Sequence, residues 1–217
     1  FSSLFLCLCI LSSCKKEAKT TFQNVLILGN SITKSPPAPE IGWYGDWGMA
    51  ASAPEKDFVH LLIGKFNKEN PSVKVNYKNI SDFEGGYWQY NLSNLDSLKN
   101  LKPDLIILRI GENVNAGTLE EHQFKKFYTA LIHYIRPDSI DTKTLCVANF
   151  WKNEPVENVI KSCSLETNSE YVELSSLERI ENVAWDEYTN AGVRAHPSDK
   201  GMAAIANIIW AKIIKLQ

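Results

Sequence analysis

The sequence has no excess of basic residues, few cysteines, and no apolar run long enough to cross a membrane. Lys and Arg total 23 against 25 for Asp and Glu, which gives a net charge of -2. Proteins that bind nucleic acids usually concentrate positive charge on one surface, and no local Lys/Arg run supplies it here. The apolar run at residues 1–11 is shorter than the roughly 20 residues of a spanning helix. The composition therefore predicts neither a nucleic-acid partner nor a transmembrane helix in that run.

The N-terminal segment has the layout of a secretory signal, because an apolar stretch and small residues precede a polar one. It ends in Leu-Ser-Ser-Cys14, which resembles a bacterial lipobox. We interpret residues 1–13 as a truncated signal peptide of lipoprotein type and residues 14–23 as an acylated Cys14 with its tether. Acylation would anchor an exported protein to a membrane, in the periplasm or at the cell surface. An ordinary signal peptide and a buried N-terminal strand are the alternatives.

Two of the five cysteines, Cys146 and Cys163, fall in the remaining part of the chain. An exported protein can form disulfides. However, Cys146 lies in an apolar segment typical of a buried strand. The pattern favours two separately buried thiols and leaves a disulfide open.

From residue 24 onward, apolar segments alternate with helical patterns. Strands are predicted at residues 25–28, 73–77, 104–108, 144–148 and 171–174. Helices are predicted at residues 55–70, 89–101, 119–135, 156–162 and 200–215. Apolar segments of this kind suit strands that are covered on both faces, as in parallel sheets. The alternation predicts one doubly wound α/β domain at residues 24–217.

A serine follows the first predicted strand directly, in Gly29-Asn30-Ser31-Ile32-Thr33. Open α/β sheets bind ligands at the carboxyl ends of their strands, so Ser31 is a candidate nucleophile. A helix N-cap is the structural alternative for an isolated serine here. Thr33 stands where a nucleophile elbow, Gly-x-Ser-x-Gly, has its second glycine, which excludes the α/β-hydrolase motif.

A serine nucleophile needs a base, and His196 is the best placed of the four histidines. His60, His122 and His133 fall in predicted helices and are interpreted as structural. His196 lies in a loop before the last predicted helix. That loop follows the last strand and so returns to the same edge of the sheet as Ser31.

Acyl transfer also needs hydrogen-bond donors aimed at the developing oxyanion. Asn113 ends the third predicted strand and offers a side-chain amide. Gly85 and Gly86 follow the second strand and offer backbone N–H groups that a ligand can approach closely. Each of these residues, taken alone, could equally be an ordinary turn residue.

Together and in this order, these segments resemble the SGNH (GDSL-like) hydrolase family. The four family blocks are matched by Gly29-Asn30-Ser31, Gly86, Gly111-Glu112-Asn113 and His196-Pro197. The resemblance extends over essentially the whole chain after residue 23. It implies a flavodoxin-like, three-layer α/β/α sandwich with a five-stranded parallel sheet. It also implies that Ser31 is the nucleophile, that His196 is the base, and that the Ser31 N–H, the Gly86 N–H and the Asn113 amide form the oxyanion hole. By spacing, Gly85 is an equally good candidate for the role given to Gly86.

Two positions depart from the family pattern. Asn30 replaces the usual Asp, and we expect this change to be tolerated. Val193 stands three residues before His196, where the family has the Asp that orients the imidazole. Loss of that carboxylate costs a serine protease about 10⁴ in rate when nothing replaces it. Another group could orient His196 instead: Asp186 or Glu187 could fold back toward it, or a main-chain carbonyl could accept from it. If no group does so, the protein works with a Ser–His dyad alone or has lost its activity.

The resemblance and the aromatic residues together suggest a substrate. Four tryptophans in predicted loops could stack on sugar rings or form a structural cluster: Trp43, Trp47, Trp88 and Trp151. We expect a serine esterase acting on acyl esters of carbohydrates or small molecules, with acetyl as the expected acyl group and without a metal or organic cofactor. The alternatives are a catalytically weakened glycan-binding lipoprotein and an esterase of the lipase or lysophospholipase type.

Overall fold

The structure, a computed structural model, describes residues 21–137, 141–177 and 180–217. The predicted signal peptide and Cys14 lie outside the described residues. The predicted tether, residues 14–23, extends too far along the chain, because Phe22 is already buried in the core. The N–H of Gln23 also donates to the carboxylate of Asp104 at 2.7 Å. The folded domain therefore includes residues 22 and 23.

Five parallel strands form one sheet in the order β2-β1-β3-β4-β5. The strands are β1 (Asn24–Gly29), β2 (Lys74–Asn79), β3 (Leu105–Arg109), β4 (Lys143–Val147) and β5 (Glu170–Val172). This is the flavodoxin-like strand order, and it confirms the predicted fold class. Gly29 at the end of β1 is in register with Asn79 of β2 and Arg109 of β3. The loops that follow these three strands therefore leave the sheet side by side.

Helices cover both faces of the sheet. They are α1 (Phe58–Glu69), α2 (Ser81–Gly86), α3 (Asp96–Lys99), α4 (Phe124–Ile135), α5 (Glu154–Glu166), α6 (Ala191–Arg194) and α7 (Asp199–Ile213). Side chains alternate along a strand, so Ile27 of β1 packs under α1 and α7. Its neighbours Leu26 and Leu28 pack under α4 and α5. Two apolar cores, one on each face, hold the sheet and fix the position of its strand ends.

The helices differ from prediction mainly between β2 and β3. The pattern at residues 89–101 does not form one helix; instead a 3-10 turn at Leu92–Leu95 leads into the short α3. The Asn91 side chain caps that turn by accepting a hydrogen bond from the N–H of Ser93. The sequence analysis also missed α2, which contains both Gly85 and Gly86. Helix α4 begins at Phe124 rather than near residue 119, after Gln123 in a left-handed conformation.

Cys146 and Cys163 are both buried and free. They therefore match the interpretation as separate thiols. No helix among the described residues is long and apolar enough to cross a membrane.

Candidate active site

Ser31 and His196 meet at the carboxyl edge of the sheet. A tight turn follows β1, in which the carbonyl of Asn30 accepts hydrogen bonds from the N–H groups of Thr33 (2.9 Å) and Lys34 (3.1 Å). This turn presents Ser31, whose Oγ lies 2.7 Å from Nε2 of His196. A hydroxyl and an imidazole that are 165 residues apart in the chain are thus in direct hydrogen-bond contact.

A main-chain carbonyl orients the imidazole. Nδ1 of His196 donates to the carbonyl of Gly192 at 2.8 Å. A carbonyl oxygen can only accept, so Nδ1 carries the proton and Nε2 is left to accept the Ser31 hydroxyl. Gly192 lies in α6, whose N-terminus is capped by the Asn190 side chain through the N–H groups of Gly192 and Val193. The cap fixes the turn that carries the orienting carbonyl.

Neither Asp186 nor Glu187 orients His196, which corrects that part of the sequence interpretation. Both side chains are exposed and line a separate groove. The N–H of Ala184 bonds to the carbonyl of His196 at 3.0 Å, which aligns the two backbones. The turn that follows Ala184 then carries the two carboxylates away from the imidazole. Of the alternatives, the main-chain carbonyl is the contact that the structure contains.

Val193, at the position of the missing acid, faces an apolar cluster. Its side chain is fully buried with Trp43, Met49 and Ala184. A side chain at this position therefore packs beneath the loop and does not approach Nδ1 of His196.

Burial lowers the pKa of His196 below its usual value of 6.5. The hydrogen bond to the Gly192 carbonyl and the negative charge of Glu112 oppose this shift, and the charge of Arg109 adds to it. The imidazole is consequently neutral at neutral pH, which is the state that a general base requires.

A cleft of about 200 Å³ opens above the two residues. It is lined by Asn30, Ser31, Ile32, Glu112, Asn113, Trp151, Ala195 and His196. Within the described part of the chain, no hydrogen bond uses the N–H of Ser31. The Asn113 amide is on the same cleft, so two donors border the space beside the Ser31 hydroxyl.

Gly86 is not at this cleft, and its prediction as an oxyanion donor is wrong for this structure. It is the last residue of α2. Helical geometry pairs an N–H at that position with a carbonyl of the preceding turn, so the group is not free to bind a ligand. Gly85 lies in the same helix and is excluded for the same reason.

Only one of the four predicted substrate-binding tryptophans, Trp151, lines the cleft. Its indole N–H donates to the carbonyl of Ala195 at 2.8 Å, next to His196. Trp43 is buried and contacts Trp47 edge-on, with ring centroids 5.6 Å apart. Trp88 stacks on the ring of His122 at 3.7 Å.

The other three tryptophans therefore have structural roles. The Trp43 indole donates to the carbonyl of Ser35 and the Trp47 indole to that of Ala51, so both stabilise the long loop after β1. Trp88 is half-buried and packs against the apolar core beneath α4.

The sequence analysis did not identify a buried polar network behind the cleft. Arg109 is fully buried at the end of β3 and forms an ion pair with Glu112 at 2.9 Å. It also donates to the side-chain oxygen of Asn30 at 3.3 Å. A charged residue at the end of a strand of four apolar residues was the available signal, because an arginine is almost never fully buried without a partner. The described residues contain no group of three or more side chains arranged to hold a metal ion.

The chain matches no family model and no curated protein. Its fold is nevertheless similar to several solved structures. One is a two-domain esterase, CEX, active on acetylated mannans, with a TM-score of 0.62 and 19% identity over 90% of this chain. The match covers 50% of the CEX chain, so this chain spans about half of that protein's length.

Two further structures match over most of both chains. TesA has a TM-score of 0.55 and 16% identity, covering 90% of this chain and 100% of its own. A catalytic mutant of an acetylxylan esterase from Geobacillus stearothermophilus has a TM-score of 0.55 and 17% identity, covering 90% and 96%. At these identities the likeness shows a shared fold.

Proposed function

We propose that the chain is a serine hydrolase that cleaves carboxylic esters, with Ser31 as nucleophile and His196 as base. One observation carries this proposal: Ser31 Oγ lies 2.7 Å from His196 Nε2, while His196 Nδ1 is bonded to the Gly192 carbonyl. A nucleophile in contact with a base that a third group orients is the signature of an activated serine. The esterases among the similar folds support the same chemistry.

The reaction follows from the positions of these groups. His196 Nε2 takes the Ser31 proton as Oγ attacks the ester carbonyl, and the Ser31 N–H and the Asn113 amide stabilise the oxyanion. The imidazolium then protonates the leaving alcohol, and an acyl group remains on Ser31. Water, deprotonated by His196, attacks that acyl-enzyme, and the acid product and the free Ser31 hydroxyl are released.

We further propose that the acyl group is acetyl and the alcohol a carbohydrate. The cleft of about 200 Å³ is smaller than the roughly 300–1,000 Å³ of pockets that bury drug-sized ligands, which favours a short acyl group. Trp151 is 37% exposed at the cleft and offers an aromatic surface next to the base. The activity of a similar fold on acetylated mannans supports this choice.

The test compares wild-type protein with Ser31→Ala on p-nitrophenyl acetate and then on acetylated xylo- and manno-oligosaccharides. We expect turnover by wild type and none above background by the variant, because the nucleophile is lost. Fluorophosphonate labelling of wild type, located at Ser31 by peptide mapping, checks the nucleophile independently. Equal rates for the two proteins would refute the hydrolase proposal.

A second candidate function is glycan binding without cleavage. It is favoured by one observation, that a neutral carbonyl contacts His196 Nδ1 in place of a carboxylate. Retention of acetylated oligosaccharides on immobilised protein, without release of acetate, would support this candidate over hydrolysis.

We also propose that Cys14 is acylated and tethers the domain to a membrane. The Leu-Ser-Ser-Cys sequence and the polar residues after it support this. Expression of the chain behind a complete lipoprotein signal, with labelled palmitate, should label the wild type and leave Cys14→Ala unlabelled. Equal labelling of both would contradict the proposal.

A further inference from the structure

Glu84 is a buried carboxylate directly behind the candidate active site. It lies in α2, and only 2% of its surface is exposed. Its Oε2 accepts a hydrogen bond from Nδ2 of Asn113 at 2.6 Å. Its Oε1 accepts from the N–H of Gly111 and from Nδ2 of Asn30 (3.2 Å). One side chain therefore links the turn that carries the nucleophile to the turn that carries the candidate oxyanion donor.

The bond to Asn113 determines where that amide points. Asn113 is an exposed residue, and an exposed amide without a partner would sample several rotamers. Its NH₂ group has two hydrogens: one is held by Glu84, and the other is left for a ligand in the cleft. A donor that is oriented in advance stabilises an oxyanion without the cost of reorganisation during the reaction.

The backbone at Gly111 is built to reach the same carboxylate. Its φ of 149° lies in a region that residues with a side chain rarely adopt. A Cβ at this position would come within 2.4 Å of the Asn149 side-chain oxygen. Glycine thus allows the chain to turn its N–H toward Glu84 two residues before Asn113.

The nature of the donors indicates that Glu84 acts as an ionised acceptor. All three groups that contact it are N–H donors, which a carboxylate can satisfy at once. Burial, and to a smaller extent the charge of Glu112, raise the pKa of the Glu84 carboxyl above its usual value, and the hydrogen bonds from Gly111 and Asn113 limit that rise.

We propose that Glu84 is a positioning residue that holds the Asn113 amide in the orientation needed to bind the oxyanion. This rests on the proposed hydrolase function. Glu84 does not line the cleft, so it acts through Asn113 and does not touch the substrate.

The first test is Glu84→Gln, assayed on p-nitrophenyl acetate. Two donors, from Gly111 and Asn30, converge on the Oε1 position, whereas Asn113 alone donates to Oε2. The oxygen of the new amide should therefore take the Oε1 position, and its NH₂ group should face Asn113, which loses its acceptor and its fixed orientation. We expect kcat to fall about 10- to 100-fold, part of what loss of an oxyanion donor costs, with KM changed less than about twofold. Asp82→Asn is the matched control, because Asp82 is an exposed carboxylate in the same helix; its kcat should equal that of wild type. A Glu84→Gln kcat equal to wild type would overturn the proposal.

The second test combines Glu84→Gln with Asn113→Ala. If Glu84 works through Asn113, the double variant should have the same kcat as Asn113→Ala alone. If the two substitutions lower kcat by factors that multiply in the double variant, Glu84 acts independently of Asn113 and has a general structural role. That result would overturn the proposal. Glu84→Asp keeps the charge, but its side chain is one methylene too short to reach both Gly111 and Asn113. Its kcat should lie between those of wild type and Glu84→Gln, and it takes the place of Glu84→Gln in the comparison if that variant does not fold.

Ser31→Ala separates this proposal from the proposed function. If Ser31→Ala turns over as fast as wild type, the hydrolase function fails, and the positioning role fails with it. If Ser31→Ala is inactive while Glu84→Gln has full activity, only the positioning role fails.

Discussion

Substituting Val193 by Asp places a carboxylate where the SGNH hydrolase pattern, which the sequence resembles, has its orienting Asp, and we expect the substitution not to increase activity. The Val193 side chain is fully buried against Trp43 and Met49. The N–H at Nδ1 of His196 already donates a hydrogen bond to the Gly192 carbonyl. An aspartate at position 193 would therefore be buried in an apolar cluster, and no imidazole N–H would be free to donate a hydrogen bond to it.

The expected loss of stability follows from this burial. Removing a fully buried Val side chain costs about 1.5–3 kcal/mol. Burying a polar group without a hydrogen-bond partner adds about 1–3 kcal/mol on the scale of protein mutations. Val193→Asp should thus lower the free energy of unfolding by about 2.5–6 kcal/mol, a large share of the roughly 5–15 kcal/mol typical of a domain.

Urea unfolding followed by tryptophan fluorescence measures this loss, and Val193→Ala is the matched control. Val193→Ala removes two methyl groups, so it should cost about 1.6 kcal/mol plus a small cavity term. The kcat of Val193→Asp should not exceed that of wild type. If Val193→Asp is as stable as Val193→Ala, and its kcat is tenfold or more above that of wild type, then the carboxylate reaches Nδ1 of His196. A side chain at position 193 would in that case not be confined to the apolar cluster.

Three further predictions concern the same site. Asn113→Ala should lower kcat about 10²–10³-fold, since it removes a proposed oxyanion donor; an unchanged kcat on p-nitrophenyl acetate would exclude that role. The pKa of His196 is lowered from 6.5, so kcat/KM should fall toward acidic pH with a midpoint below pH 6.5; a midpoint above pH 6.5 would contradict this. The same group stabilises the fold above its unfolded pKa of 6.5, and this contribution is lost as the pH falls through the lower folded pKa; urea unfolding as a function of pH measures it. Asn190→Ala removes the cap of α6 and should destabilise the fold by about 1 kcal/mol while lowering kcat; an unchanged kcat would show that the cap does not hold the Gly192 carbonyl.

The edge of the sheet that carries the site could be predicted from the sequence because it depends on strand ends. Ser31 follows the first apolar segment and Asn113 the third, and parallel strands bring their carboxyl ends to one edge. His196 precedes an amphipathic helix that has to pack on the sheet, so its loop returns to that edge. The structure has all three residues at one cleft.

What sequence reasoning missed depends on contacts between segments that no local pattern reveals. The partner of His196 is a backbone carbonyl, and any residue at position 192 provides one, so its identity carries no signal. Gly86 looked like a turn residue, yet the whole segment Ser81–Gly86 forms α2 and its N–H groups follow the helix axis. Trp43 lies in a loop, where aromatic residues are often exposed, but the loop folds back over it and buries it.

The structure also connects two features that appear unrelated in the sequence, the asparagine at position 30 and the buried glutamate at position 84. Nδ2 of Asn30 donates to Glu84 at 3.2 Å and to Glu112 at 3.3 Å. Its Oδ1 accepts from the N–H of Ile32 and from Arg109. An aspartate at position 30 could accept the last two bonds but would set a third carboxylate against two others in a buried site, where like charges are strongly unfavourable. The neutral amide is therefore the side chain that suits this site once Glu84 is present, and the difference at position 30 from the Gly-Asp-Ser pattern that the sequence resembles is linked to the buried glutamate.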